Sequence, residues 1–149
     1  MRLRLAVQRE SRDKGLPTAA SIAEWARAAL AGSGPGTAEV TVRLVDAAES
    51  AALNRRYRGK RGATNVLSFS YDGSRGTPGL AGDLVICAPV VAREAREQGK
   101  PARAHWAHMV VHGIMHLRGY DHVHELDAQV MEALEIRVLR RLSIPNPYA

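Results

Sequence analysis

The segment NVLSFSYDGSRGTPGLAGDLVIC, residues 65–87, decides the fold class of this chain. It contains two short runs rich in strand-forming residues, Asn65–Tyr71 and Asp83–Cys87, separated by the Gly- and Pro-containing loop sequence DGSRGTPG. From Pro89 onward the hydrophobic spacing is that of helices only. We therefore expect these two strands to complete a sheet before the chain becomes helical.

The chain before this segment alternates between strand and helix patterns. Residues 2–8 alternate with the period of two expected of a strand with one buried face, and Thr18–Ala31 has apolar residues at helical spacing. A second alternating run, Val40–Val45, follows the loop GSGPG. Asp46 then has the position of an N-cap before the helix AAESAALNRRY, with Glu49 as its capping-box partner.

The chain after this segment has the patterns of three helices, over Val90–Gln98, Ala102–Arg118 and Glu125–Leu142. Together the patterns predict an α/β (α+β) fold, a single-domain sandwich with a four-stranded mixed sheet and about five helices. At 149 residues and 46% hydrophobic content, the chain has the size of one domain, residues 1–149, with one core.

Composition and charge restrict the class of protein and its partners. Nowhere does an apolar run approach the roughly 18 residues of a membrane span, and the N-terminus has no signal-peptide stretch, so we expect a soluble, cytoplasmic protein. The net charge of +6 and the pI near 10.1 favour polyanionic partners such as nucleic acid. The lone Cys87 lies in the apolar stretch DLVIC, which predicts a small buried side chain without chemistry.

All six histidines lie between positions 105 and 124. His112 and His116 are four residues apart in a predicted helix, so their imidazoles stack on one face and can meet one ion at about 2.1 Å. His108 lies about 12 Å along the helix from His116, too far to share that ion. His122 follows Gly119, which can end the helix in the left-handed conformation and fold the chain back. We therefore predict that His112, His116 and His122 bind one catalytic ion, on a helix of the C-terminal half.

The metal and the other histidines follow from the same geometry. Zinc suits three imidazoles with an open position for water, although nickel, copper and iron also suit an all-imidazole site. We expect His108 to pack against the site or to hydrogen-bond a bound imidazole, and we expect His105 and His124 to face solvent.

The spacing His116-x-x-Gly119-x-x-His122 is that of the second half of the metzincin motif HExxHxxGxxH. In those peptidases the residue after the first histidine is the general base Glu, but here it is Gly113. A peptidase is therefore disfavoured. A bound metal lowers the pKa of water to about 7 and acts as a Lewis acid on a phosphoryl oxygen, so phosphodiester hydrolysis does not require that Glu.

The densest positive run of the chain ends the second helix and enters the next loop; it consists of Arg55, Arg56, Arg58, Lys60 and Arg61. A guanidinium can bind a phosphate through two hydrogen bonds and offset charge that develops in a transition state. We expect at least one of these arginines to face a substrate.

Long segments of the chain closely resemble the YbeY family of bacterial metal-dependent endoribonucleases, also called rRNA maturation factors. In chain order they are LVDAAESAALNRRYRGK (44–60), YRGKRGATNVLSFSY (57–71), GDLVICAPVV (82–91), QGKPARAHWAHM (98–109) and HMVVHGIMHLRGYDH (108–122). The match covers nearly the whole chain, with the N-terminal strand and first helix the least distinctive. Every fixed position of the family motif H-G-x-x-H-L-x-G-Y-D-H is present, from His112 to His122.

The resemblance implies a single-strand-specific endoribonuclease that matures the three-prime end of small-subunit rRNA and acts in ribosome quality control. It implies one zinc ion on His112, His116 and His122, with rRNA, ribosomal proteins or an assembly GTPase as partners. The arginine that the family requires falls on Arg58. We therefore predict Arg58, His112 and His116 as catalytic residues.

Five further polar residues lie in the resembling segments. Many family members have Asp where this chain has Asn65, and we interpret Asn65 as structural. Asp121 either orients a ligand histidine or caps the turn. Ser68 and Tyr120 either contact a substrate or pack, and we expect packing for each. For Asp83 we expect a backbone hydrogen bond at the start of its strand.

Two questions stay open at the level of sequence. The nucleophile is either a water molecule or the ribose 2′-hydroxyl, with metal and Arg58 offsetting charge in both cases. Two rival functions also remain, a metallohydrolase of a peptide or small phosphoester and a non-catalytic RNA-binding assembly protein with a structural metal. A structural zinc has four protein ligands, whereas this motif offers three.

Overall fold

A computed structural model describes residues 1–71 and 79–149 of the chain. In chain order the elements are β1 (Arg2–Arg9), α1 (Ala19–Leu30), β2 (Thr37–Val45), α2 (Ala47–Arg58), β3 (Val66–Ser70), β4 (Gly79–Cys87), α3 (Ala88–Glu97), α4 (Ala102–Leu117) and α5 (Glu125–Arg141). The described residues thus form the four strands and five helices that the sequence predicts. None of these helices combines the length and hydrophobicity that crossing a membrane requires.

The sheet has the order β1-β2-β4-β3 and is mixed, as predicted. β1 pairs with β2 and β2 with β4 in parallel, whereas the short β3 pairs with β4 antiparallel at the edge. Val42 and Leu44 of β2 and Leu84 and Ile86 of β4 are fully buried, because their side chains lie on the face of the sheet that packs against the helical core.

Helices pack on both faces of the sheet. The larger core lies between the sheet and α1, α4 and α5, and includes Ile22, Trp25, Ile114 and Met131. A smaller cluster on the other face joins β3 and β4 to α2 and α3, and it contains Cys87, which is fully buried as predicted. The helix α4 therefore lies inside the molecule, and only part of its surface reaches a cleft.

Two glycines set the distance between α4 and the sheet. A Cβ on Gly113 would lie 2.7 and 2.9 Å from the two methyl carbons of Leu84 on β4. A Cβ on Gly82 would lie 2.5 Å from a methyl carbon of Leu117, at the end of α4, and 2.5 Å from the carbonyl oxygen of Phe69 on β3. These distances are shorter than the roughly 3.5 Å of ordinary carbon contacts, so neither position has room for a side chain where α4 packs on the sheet.

Some local predictions need correction. α2 begins after Asp46 as expected, but the capping box is wrong, because the Asp46 carboxylate accepts hydrogen bonds from Ser11 and from the Arg12 amide. Glu49 instead forms an ion pair with Arg43. β2 and β4 both begin earlier than their hydrophobic patterns. Of the predicted loop 72–79, residues 72–78 lie outside the described residues.

Candidate metal centre and cleft

Three histidines meet where α4 ends. His112 and His116 lie one turn apart, and their Nε2 atoms are 3.2 Å apart. Gly119 has a φ of 98°, the left-handed conformation expected at the end of a helix, and it folds the chain back. The ring of His122 then lies 5.5 Å from that of His112 and 4.9 Å from that of His116, between ring centroids. The structure thus brings together all three histidines predicted as ligands.

The histidine triad fits a transition-metal ion. Each of the three side chains offers a ring nitrogen within 4.8 Å of the other two. Two nitrogens bound to one tetrahedral zinc at about 2.1 Å lie about 3.4 Å apart. The observed 3.2 Å between His112 and His116 is close to this value. His122 is exposed, so an ion at this place would also face the cleft.

Burial favours the neutral form of His116, the form of an imidazole that can bind a metal ion. Burial lowers the pKa of His116, and the neighbouring His112 and His122 lower it further. A neutral imidazole has a lone pair for an ion, whereas an imidazolium has none. For Asp121 the sequence left two roles open, orienting a ligand histidine or capping the turn. Its carboxylate accepts a hydrogen bond at 2.7 Å from the backbone amide of His122. It therefore caps the turn that carries the third histidine.

Sequence reasoning missed Glu135, which contacts the triad from α5. Its carboxylate is fully buried and accepts hydrogen bonds from His112 Nδ1 at 3.0 Å, from His108 Nε2 at 2.7 Å and from the Tyr148 hydroxyl at 2.6 Å. Burial raises the pKa of Glu135, but these hydrogen bonds outweigh it and lower the pKa to about 2. The available signal was a Glu within the buried stripe of α5, at helical spacing from Met131 and Val138.

Of the remaining three histidines, two have the predicted roles and one does not. His108 is buried and bonds to Glu135, the partner of His112, as expected of a supporting residue. His124 is exposed, which confirms its prediction. The prediction for His105 is wrong: it is 3% exposed and bonds Glu94 at 2.8 Å. Burial lowers the pKa of His105 although Glu94 opposes the shift.

A cleft of about 860 Å³ opens beside the triad. The triad and the turn after α4 form one wall, and β3 with the preceding residues Thr64 and Asn65 forms another. Tyr57 and Arg58, at the C-terminal end of α2, complete the lining. The histidines and the C-terminal end of α2 therefore line the same open cleft.

Of the basic run, Arg58 is the member that lines this cleft; Arg55, Arg56, Lys60 and Arg61 are exposed elsewhere. Arg58 is the last residue of α2, and Gly59 ends the helix with a φ of 64°. The turn leaves the guanidinium exposed at the cleft, free to meet an anion.

The other polar residues have local partners or line the cleft. Asn65 accepts a hydrogen bond from the Val66 amide at 2.7 Å and donates to Glu94, contacts that fit the structural interpretation. Ser68 and Tyr120 both line the cleft, and Tyr120 also packs on the main core. The prediction for Asp83 is wrong, because it lies within β4 and accepts from the Tyr71 hydroxyl.

The position of the peptidase base is closed to chemistry in this fold. A side chain at Gly113 would project against Leu84, in the core between α4 and the sheet, and away from the cleft that the adjacent His112 lines. The close packing of α4 on β4 therefore leaves no room for a Glu at this position.

Known proteins are similar to this chain in sequence and in fold. The model of the family described as Endoribonuclease YbeY matches residues 7–143. The chain belongs to the YbeY family. The YbeY protein of Methylococcus capsulatus is 57% identical over 145 residues, covering 97% of this chain and 94% of that protein. The YbeY protein of Aromatoleum aromaticum is 58% identical over an alignment of 152 residues, covering 99% and 94%.

A solved structure supports the fold of this YbeY chain. The solution structure of a Thermotoga maritima protein matches with a TM-score of 0.56 over 92% of this chain and 91% of that one. The two sequences are 24% identical, so this likeness concerns the fold alone. Both YbeY relatives are named Endoribonuclease YbeY.

Proposed function

We propose that this chain is a metal-dependent endoribonuclease that cleaves single-stranded RNA in the cleft beside the histidine triad. The observation that carries the proposal is that three histidines able to hold an ion and one exposed arginine line the same cleft. Membership of a family described as Endoribonuclease YbeY supports the reaction class. The net charge of +6 supports a polyanionic substrate.

Each residue has a distinct task in this proposal. His112, His116 and His122 hold one ion, which we propose to be zinc because neutral imidazoles and an open position suit it. A bound zinc ion would supply Lewis acidity at a phosphoryl oxygen and a lowered pKa for water. Arg58 binds the scissile phosphate through two N–H donors and offsets the charge that builds up there.

Two nucleophiles are compatible with this site. Attack by water leaves a terminal phosphate, whereas attack by the neighbouring ribose 2′-hydroxyl leaves a 2′,3′-cyclic phosphate. We propose water, because the open cleft beside the triad admits solvent. End-group analysis of the products decides between them, and a cyclic phosphate would contradict attack by water.

The biological substrate is a separate part of the proposal. We propose that the chain acts as a single domain in the cytoplasm, on rRNA of the small ribosomal subunit near its three-prime end. Ribosomal proteins or an assembly GTPase would bring it there. Co-sedimentation of the protein with small subunits, together with mapping of rRNA three-prime ends in a depleted strain, tests this part.

The reaction is tested with purified protein and three variants. Wild type, His112→Ala, Arg58→Ala and the matched control Arg55→Ala are loaded with zinc and given single-stranded and duplex RNA of the same sequence. We expect wild type and Arg55→Ala to cleave the single strand and spare the duplex. His112→Ala falls to background, and Arg58→Ala loses about 10- to 100-fold, the value of a hydrogen-bonded charge.

The matched arginines make the result specific. Arg55 and Arg58 belong to the same basic run, but only Arg58 lines the cleft, so general attraction for RNA cancels between them. If His112→Ala and Arg58→Ala cleave as fast as wild type, the proposed reaction is wrong. If RNA binds without being cut by any protein, the chain is a binding protein with a structural metal.

A further inference from the structure

A buried carboxylate lies behind the histidine triad and touches one of its members. Glu135 of α5 is fully buried, and its Oε2 accepts a hydrogen bond from His112 Nδ1 at 3.0 Å. Its Oε1 accepts from His108 Nε2 at 2.7 Å and from the Tyr148 hydroxyl at 2.6 Å. A carboxylate only accepts, so His108 and His112 must each carry a hydrogen on the nitrogen that faces it.

The tautomer of His112 follows from this contact. A neutral imidazole has one N–H group, and a hydrogen on Nδ1 leaves Nε2 with a free lone pair. That Nε2 is the atom that lies 3.2 Å from His116 Nε2. We propose that Glu135 is a positioning residue that holds His112 in the tautomer and ring orientation that metal binding requires. The inference rests on the metal site of the proposed function.

Three donors hold the Glu135 carboxylate through both of its oxygens. His108 and Tyr148 meet at one oxygen and His112 binds the other, so the carboxylate is fixed in rotation as well as in place. His108, His112 and Glu135 also lie within 4.8 Å of one another, which would suit a second ion. The short hydrogen bonds between them favour protons at these positions, so we expect one bound ion per chain.

The isosteric variant Glu135→Gln gives a sharp prediction. His108 and Tyr148 both donate to the Oε1 position. His108 keeps its hydrogen on Nε2, because His108 Nδ1 is buried and has no hydrogen-bond partner among the described residues. The single amide oxygen is therefore best placed at Oε1. The NH₂ group then donates to His112 Nδ1 and shifts the hydrogen to Nε2, where it blocks an ion. We expect zinc affinity to fall about 10- to 100-fold.

Glu94→Gln is the matched control. Glu94 of α3 pairs with His105 of α4 at 2.8 Å. This is also a carboxylate–imidazole contact to α4, but it does not touch the triad. The dissociation constant for zinc and the number of ions bound are measured by competition with a chromophoric chelator. Circular dichroism verifies that wild type, Glu135→Gln and Glu94→Gln are equally folded. Glu94→Gln should bind zinc as wild type does.

A double-mutant cycle separates positioning from a general effect on folding. If Glu135 acts through His112, then Glu135→Gln causes no further loss of zinc affinity in a His112→Ala background. Equal zinc affinity of Glu135→Gln and wild type overturns the proposal. So does an undiminished loss in the His112→Ala background, or a second zinc ion bound by wild type.

Misfolding of the variant and failure of the proposed function can each be told apart from failure of this inference. If Glu135→Gln does not fold, Glu135→Met decides, since it removes both acceptors at similar volume and must also weaken zinc binding. If wild type itself binds no zinc, the metal site of the proposed function is wrong and this inference with it. RNA cleavage is scored separately, so wild type that binds zinc without cutting RNA contradicts the proposed reaction and leaves the role of Glu135 standing.

Discussion

The contact between α4 and the sheet predicts how the chain responds to a single methyl group at Gly113. The substitution Gly113→Ala places a Cβ 2.7 Å from one methyl carbon of Leu84 and 2.9 Å from the other. Leu84 is fully buried, so its side chain has little room to move. Restoring an ordinary carbon contact of about 3.5 Å requires a displacement of about 0.8 Å between the helix and the side chain.

Two opposing terms set the size of the effect. Overpacking a core by a methyl group costs about 1–3 kcal/mol. Alanine favours the helix over glycine by about 1 kcal/mol. The free energy of unfolding should therefore fall by about 1 kcal/mol. In a Leu84→Ala background the obstructing methyl groups are gone, so Gly113→Ala should instead stabilise the chain by about 1 kcal/mol.

The assay is urea unfolding of wild type, both single variants and the double variant, at fixed zinc concentration. The prediction is a reversal of sign, which corresponds to a coupling of about 2 kcal/mol between residues 84 and 113. Additive effects, or a Gly113→Ala variant more stable than wild type, would refute the packing argument. Helix α4 would then not be held against β4 at this point.

Three other predictions concern metal, pH and the phosphate contact. Zinc at about 100 times its dissociation constant should stabilise the chain by about 2.7 kcal/mol, so chelation lowers the Tm and His116→Ala abolishes the response. Burial depresses the pKa of His105 in the folded chain below its ordinary 6.5. Below about pH 6.5 the unfolded chain therefore binds a proton at His105 more readily than the folded chain, and the free energy of unfolding falls. In metal-free urea unfolding, His105→Gln should lose less stability on acidification than wild type does. Equal losses of stability would contradict this. Arg58→Lys keeps the charge but loses the contact through two N–H donors. Compared with Arg58→Ala, it should restore RNA binding more than kcat. Full recovery of kcat would contradict a two-donor contact of Arg58 with the phosphate.

Local patterns were sufficient for the elements and for the triad. The period of two in β1 and the helical spacing in α1 arise from neighbouring residues, so they can be read without knowledge of the fold. His112, His116 and His122 are likewise linked by one helical turn and one glycine turn. Arg58 is different, because the basic run alone left four candidate arginines and only the family resemblance selected one.

Long-range contacts were beyond the reach of those patterns. Glu135 meets His112 from another helix, and no local spacing relates the two residues. His105 was predicted to face solvent, yet α4 packs against the sheet and three other helices, and His105 is buried there. The capping-box prediction for Asp46 failed for the same reason. Ser11 and the Arg12 amide, which are distant in sequence, donate to its carboxylate instead.

Metal reconstitution of the stripped protein tests the central claim most directly. The chain is freed of metal with a chelator, zinc is titrated back, and the initial rate of cleavage of a fluorescent single-stranded RNA is recorded. The account predicts no cleavage without metal and a rate that rises linearly to a break at about one ion per chain, the stoichiometry of a single three-histidine site. Cleavage by stripped protein at the rate of the zinc-loaded protein, with metal content verified, would contradict it.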